Sequence, residues 1–394
     1  MKTLRILVLL PCLIWAQPEF FGYFESEADV MQLGSNRYSY GYNKLRLDVE
    51  ARPNDHVLIG ANISAQKYWG KTNWNVFDFI PGYESSGMTM SFDLPDTLLL
   101  DNMYMKLSFP ILDLTLGRQQ ISPGVGYAWN PTDIYNTKSL MDPSYEQTGV
   151  NAIRALLQLG DRSSFNAIIS TDENPGNTIK QLQLKSGIGR FDVSLSAAKF
   201  GWKTARAYAY NYDELDQRTL LGGSIVGEIA GLGLWGEFGY NEVDYVDDPI
   251  FWAASFVYPG QMPDSFSEYL IGVDHTFDNS LYTLCEYFHN GYGVAKKNEV
   301  FLSDYLYTLA GESHSLMQDY GFLYLMHPTF DYVSLSTLAI ANFNDKSGTI
   351  APQLDWNAFE DTDISVQVSW SWGTDDTEFG IQDWGLRLRL RSNF

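Results

Sequence analysis

The sequence predicts an all-β fold: one transmembrane antiparallel β-barrel of about eighteen strands, with sixteen as the alternative count. Three observations predict it. Apolar and polar residues alternate with a period of two in runs of about ten residues. Tight and long connections between these runs take turns along the chain. Beyond the amino terminus, no apolar stretch approaches the ~20 residues that a membrane-spanning helix needs.

Residues 1–16 read as an export signal, with Lys2 and Arg5 as the basic region, "ILVLLPCLIW" as the apolar stretch and Ala16 as the small residue before cleavage. The mature chain is then 17–394, a single barrel domain. Removing Lys2 and Arg5 takes the formal charge from -22 to -24. Such acidity argues against nucleic acid as a partner, because phosphate recognition needs basic patches. Only Cys285 remains after cleavage, so no intramolecular disulfide forms. The 25 tyrosines and 33 glycines favour strands and turns over helices.

The strands are expected at 19–31, 41–51, 56–66, 98–108, 111–118, 149–159, 163–171, 178–186 and 189–200. Nine more follow at 218–229, 232–242, 267–277, 280–289, 318–326, 330–341, 347–357, 362–371 and 381–394. "ISVQVSWSW" is the clearest run, setting Ile364, Val366, Val368, Trp370 and Trp372 against Ser365, Gln367, Ser369 and Ser371. In "KLRLDVEAR", Leu45, Leu47 and Val49 oppose Lys44, Arg46 and Asp48. In the last run, Leu386, Leu388 and Leu390 oppose Arg387, Arg389 and Arg391. Apolar faces would meet lipid, and polar faces would line a watery lumen.

Eight connections are tight: "RPND", "FPI", "GDR", "GIG", "AGLG", "DN", "HPT" and "EDT". Between them lie long joins at 67–97, 119–148, 201–217, 243–266 and 290–317, and shorter ones near 172–177, 342–346 and 372–380. This segregation gives short periplasmic turns and long extracellular loops, with both chain ends on the periplasmic side.

With these features, the chain resembles the porin-type outer-membrane β-barrel proteins of Gram-negative bacteria across 17–394. A terminal aromatic residue, here Phe394, carries much of the likeness, as does the segment "LGRQQIS…WNPTDIYN…MDPSYEQTGVNA". The resemblance implies an outer-membrane location, lipid and the barrel assembly machinery as partners, and Phe394 as the assembly signal. Homotrimers are common among such proteins. It also implies that the third long loop, 119–148, folds into the lumen as a constriction. The residues concerned are Tyr127, Trp129, Asp133, Tyr135, Lys138, Asp142, Tyr145 and Glu146, with Lys138 the loop's only cation.

Barrel closure pairs the last strand with the first, so Arg387, Arg389 and Arg391 are expected to face Glu25, Glu27 and Asp29, with Lys44 and Arg46 following on strand two. Such a ladder either satisfies its own charges or imposes a transverse field on solutes. Lys106, Arg154, Lys185, Glu228 and Asp355 are further inward candidates.

Enzymatic motifs fail on their context. "GLGLWG" fits G-x-G-x-x-G but opens no helix, and "GESHS" around Ser313 lacks the last glycine of a nucleophile elbow. The five histidines lack metal-site spacing, and no cofactor is expected. Acidic runs "VDYVDD" and "DDTE" read as solvated loops before calcium sites. The expected function is therefore a water-filled pore for passive diffusion of small ions or polar solutes, with a mild preference for cations or neutral solutes. A carbohydrate-selective pore and a surface adhesion or structural barrel are the alternatives.

Overall fold

The structure, a computed structural model, describes residues 18–83, 86–202, 215–245, 263–309, 311 and 313–394. The export-signal segment lies outside the described residues. In chain order the strands are β1 (Glu19–Leu33), β2 (Asn36–Asn54), β3 (Val57–Gly70), β4 (Asn73–Asn75), β5 (Ser91–Asp93), β6 (Thr97–Ser108) and β7 (Leu112–Gln119). Next come β8 (Val150–Gly160), β9 (Ser163–Ser170), β10 (Ile179–Ile188), β11 (Phe191–Trp202), β12 (Asp216–Ile229) and β13 (Leu232–Asp244). The rest are β14 (Ser265–Thr276), β15 (Tyr282–Asn290), β16 (Asp319–Phe330), β17 (Val333–Asn342), β18 (Ser347–Phe359), β19 (Thr362–Trp372) and β20 (Gln382–Asn393).

Apart from the small β4–β5 hairpin, eighteen strands pair antiparallel in one sheet. Each joins its neighbour in sequence, β3 pairs with β6, and β20 pairs with β1, which closes the cylinder. Closure leaves no edge to be satisfied in lipid. At the seam, Gly22 and Phe394 exchange both backbone hydrogen bonds at 3.0 Å. On the tight-turn side, β12 and β13 are linked by Ala230 and Gly231, both at positive φ, the two-residue turn whose twist matches that of the strands.

Along β20, Leu386, Leu388 and Leu390 are exposed on the outer face while the three arginines turn inward. The outer wall elsewhere shows Leu47, Ile63, Leu195, Ile271 and Trp370. On a closed barrel such an apolar outer belt is the surface suited to hydrocarbon.

Two features differ from the sequence expectation. Strands β1 and β2 run on through 32–40 to a two-residue turn at Gly34 and Ser35, so the first long-side join is short. The extension is held by Tyr38 and Tyr40, whose rings pack edge-on against Trp74, at 5.3 and 5.5 Å. Secondly, the interior is not uniformly hydrophilic. Leu270, Leu284, Phe288, Tyr320, Phe322, Leu338 and Ile340 point inward and form a buried apolar cluster. Phe200, Trp202, Leu220, Val243 and Phe266 form another. These strands are apolar on both faces because their inner face packs against loops that enter the barrel.

Candidate functional site

The loop between β7 and β8 packs against inward-facing residues of β13, β15 and β20. Its outgoing limb is gripped by two wall carboxylates that sequence reasoning missed. Glu237 of β13 accepts the Val125 and Thr132 amides at 2.7 and 2.6 Å, and the Thr132 hydroxyl at 2.8 Å. Glu286 of β15 accepts the Tyr127 and Ala128 amides at 2.5 and 2.7 Å and the Trp235 indole at 2.7 Å. Both side chains are almost fully buried, where an acceptor bonded several times over costs far less than a bare one. Their signal was a glutamate at inward parity in mid-strand, flanked by Gly236 and Phe238 in one case and by Cys285 and Tyr287 in the other.

Trp129 stacks on Phe288 with ring centroids 5.1 Å apart and donates to Ser315 at 3.1 Å, and Tyr127 stacks on Tyr324 at 5.8 Å. Four of the eight candidate residues serve the loop's own packing and do not present groups to solutes. Besides the buried Trp129, Asp133 accepts the Tyr135 and Asn136 amides and the Ser122 hydroxyl; burial raises its carboxyl above the usual range. Tyr135 packs on the Ile121 cluster. Lys138 donates to the Gly126 and Tyr127 carbonyls at 2.6 and 3.0 Å, and burial lowers its ammonium. The loop's only cation is thus an internal strut across its own turn. A Cβ at Gly126 would collide with the Trp129 carbonyl, so this turn requires glycine.

The returning limb meets the charge ladder. The register sets Glu25 opposite Arg391, Glu27 opposite Arg389 and Asp29 opposite Arg387, with nitrogen–oxygen contacts of 2.7, 2.6 and 3.1 Å. Lys44 lies opposite Glu25 on the other side. Asp142 takes Arg389 at 2.8 Å, and the Tyr145 hydroxyl donates to Glu25 at 2.8 Å. Glu146 meets Arg46 at 2.7 Å, Lys44 at 3.2 Å and the Tyr23 hydroxyl at 2.8 Å. Burial works against ionisation of Glu146, but Lys44, the Tyr23 hydroxyl and Arg46 hold its carboxyl below the usual range. Arg389 and Arg46 are therefore shared between the wall and the loop.

Two cavities lie beside this limb, along β2, β3, β6, β7 and β8. Toward the periplasmic end is a cavity of about 360 Å³ bordered by Arg46, Asp48, Asn62, Tyr104, Lys106, Asp113 and Arg154. Toward the extracellular end is one of about 350 Å³ bordered by Lys44, Arg46, Asn62, Tyr68, Tyr145 and Glu146. Arg46 and Asn62 border both, so the two cavities adjoin at their level. Lys106 pairs with Asp113 at 2.7 Å and Arg154 donates to Asn166 at 3.1 Å. Lys185 faces inward on β10, Glu228 lies exposed by the β12–β13 turn, and Asp355 accepts from Gln353 at 2.7 Å. These three border neither cavity.

Around Ser313, His314 pairs with Glu268 at 2.8 Å while the Ser313 and Ser315 hydroxyls donate to backbone carbonyls. No serine hydroxyl bonds the imidazole among the described residues. Among the same residues, no group of three His, Cys, Asp or Glu could hold a metal ion. "VDYVDD" extends beyond the described residues.

No protein-family model matches the chain, and no curated protein does. Solved structures do. OccK11 (OpdR) of Pseudomonas aeruginosa is 10% identical with a TM-score of 0.56, over 96% of each chain. The outer membrane protein OprD of the same organism is 8% identical with a TM-score of 0.55, over 96% of this chain and 94% of that one. OccAB4 of Acinetobacter baumannii is 10% identical with a TM-score of 0.52, over 96% and 98%. At these identities the likeness shows the fold: the chain is a closed eighteen-stranded antiparallel β-barrel built like these outer-membrane proteins.

Proposed function

We propose that the protein is a passive diffusion pore of the outer membrane, whose constriction is the loop limb around Tyr145 and Glu146 set against Lys44 and Arg46. The observation that carries this reading is the pair of cavities meeting at Arg46 and Asn62 beside a loop anchored on both sides of the lumen. Four bases (Lys44, Arg46, Lys106, Arg154) and five acids (Asp48, Glu50, Asp101, Asp113, Glu146) border these cavities. Lys44, Arg46 and Lys106 each pair with an acid within hydrogen-bond reach, so the local field is weaker than the chain's net -22 suggests. Ion selectivity is accordingly weak, with neutral polar solutes passing alongside small cations. The reading is non-enzymatic, and it takes Phe394 at the closed seam as the assembly signal.

A carbohydrate preference is favoured by one observation: Tyr42, Tyr68, Tyr145 and Tyr104 border these cavities, interspersed with side-chain amides. Reconstitution in planar bilayers tests both readings. Stepwise conductance with a reversal potential close to zero in a salt gradient is expected, and blockade by added oligosaccharide would single out the carbohydrate pore. Silence at all potentials would overturn the pore.

A further inference from the structure

On the outer wall, β10 and β11 carry a column of residues that changes character at one end. Leu184 pairs with Leu195 and Leu182 with Ala197, all exposed on the outer face. The next pair of the same parity is Lys180 with Lys199, also exposed. Gln181, Gln183, Ser196 and Ala198 alternate with these residues and are buried on the inner face, so both lysines point away from the lumen. Because β10 starts at Ile179 and β11 ends at Trp202, the pair stands at the long-loop ends of both strands. Exposed Ile169 on β9 flanks Lys180, and Thr219 on β12 flanks Lys199.

Directly opposite side chains stand about 5 Å apart at Cβ, where like charges destabilise a strand pair. No ion pair relieves this one among the described residues, whereas Lys67 on the same outer wall has Asp96 at 3.7 Å and Lys297 has Asp376 at 2.6 Å. Asp172, in the join that leads into β10, accepts from the Asn174 amide and Asn177 Nδ2. Along the row through Lys199 and Thr219, the first acid is Glu242 on β13, two strands and about 10 Å beyond Lys199. Two ammonium groups at one point suit a ligand with about two negative charges, which a phosphate monoester carries near neutral pH.

We propose that Lys180 and Lys199 bind the headgroup of an outer-leaflet lipid, a phosphate monoester held between the two ammonium groups while the acyl chains lie along Leu182, Leu184, Leu195 and Ile169. The Thr219 hydroxyl stands beside Lys199 as a further donor. A free phosphate would answer the charge but leave the leucine column uncovered. A zwitterionic headgroup would bring a cation of its own to two cations. The site depends on the outward parity of the two strands and not on whether solutes cross the lumen.

The test uses the full chain, delipidated in detergent, and three probes: dioleoylphosphatidate, dioleoylphosphatidylcholine with the same chains, and glycerol 3-phosphate with the headgroup alone. Mass spectrometry of the intact complexes is expected to show phosphatidate binding at least fivefold more tightly than either of the others. The double variant Lys180→Gln with Lys199→Gln is expected to lose that preference, and Lys67→Gln to keep it. The double variant removes a repulsion, so its unfolding temperature without lipid should equal or exceed that of the parent, which separates loss of the site from loss of the fold. Equal binding of phosphatidate and phosphatidylcholine, glycerol 3-phosphate binding as tightly as phosphatidate, or an unchanged preference in the double variant would overturn the proposal.

Discussion

Arg389 bridges the wall and the inward loop: its Nε lies 2.6 Å from Glu27 on β1 and its Nη1 2.8 Å from Asp142 near the loop tip. The returning limb of the loop is thereby tied to the barrel seam, with Tyr145 and Glu146 fixed a few residues later.

Asp142→Asn should loosen this tie while leaving the seam pairing of Arg389 with Glu27. The side chains are about four-fifths buried, and removing one charged partner there costs about 1–3 kcal/mol, toward the low end because Arg389 keeps a second carboxylate. Single-channel recordings are expected to show larger and noisier conductance than the parent.

Glu146 is held ionised by its cationic neighbours, its carboxyl below the usual range. A depressed folded-state value stabilises the fold above the ordinary glutamate range, and that contribution is lost as pH falls through the depressed value. Proteolysis of the loop should therefore accelerate on acidification below about pH 4.5. Glu146→Gln should cleave faster at neutral pH and lose most of this acid dependence.

Glu378 in the last loop behaves oppositely. Burial pushes its carboxyl up to about 7, with Asp345 adding to the effect and the Tyr320 and Asn342 hydrogen bonds opposing it. A raised folded-state value means that stability is fully present below the ordinary range and declines as pH rises through about 7. Thermal unfolding in detergent should thus fall between pH 5 and 7.5 by more in the parent than in Glu378→Gln, where the group cannot ionise.

Glu286→Gln places an amide NH₂ where three donors converge from Tyr127, Ala128 and Trp235. The unsatisfied donors cost about 1–3 kcal/mol. Trp129→Ala, which empties the ring site on Phe288, costs about 3–5 kcal/mol. Both variants should raise conductance; a parent-like conductance in both would separate the loop from the constriction.

Period-two alternation was enough to place the barrel strands, because a wall one residue thick must face two media at once. It also fixed the seam register, since Leu386, Leu388 and Leu390 can face lipid only if Arg387, Arg389 and Arg391 face inward. It failed where the inner medium is protein. The faces carrying Leu270, Phe288, Tyr320 and Ile340 read as oily on both sides, and nothing local says that Trp129 arrives from more than 100 residues away. The roles of Lys138 and Asp133 were hidden for a related reason: a charge in a loop reads alike whether it meets solute or its own backbone. The reach of β1 and β2 through 32–40 depended on Trp74, a contact outside either strand's own pattern.

The ladder at the seam joins residues 358 to 366 positions apart. Three carboxylates near the amino terminus thus await counterions made last. Without β20, Glu25, Glu27 and Asp29 would lose their arginine partners on the inner face, which is unfavourable for carboxylates this buried. Sealing the cylinder and neutralising these carboxylates are therefore one event, because the strand that removes the last open edge also carries their counterions.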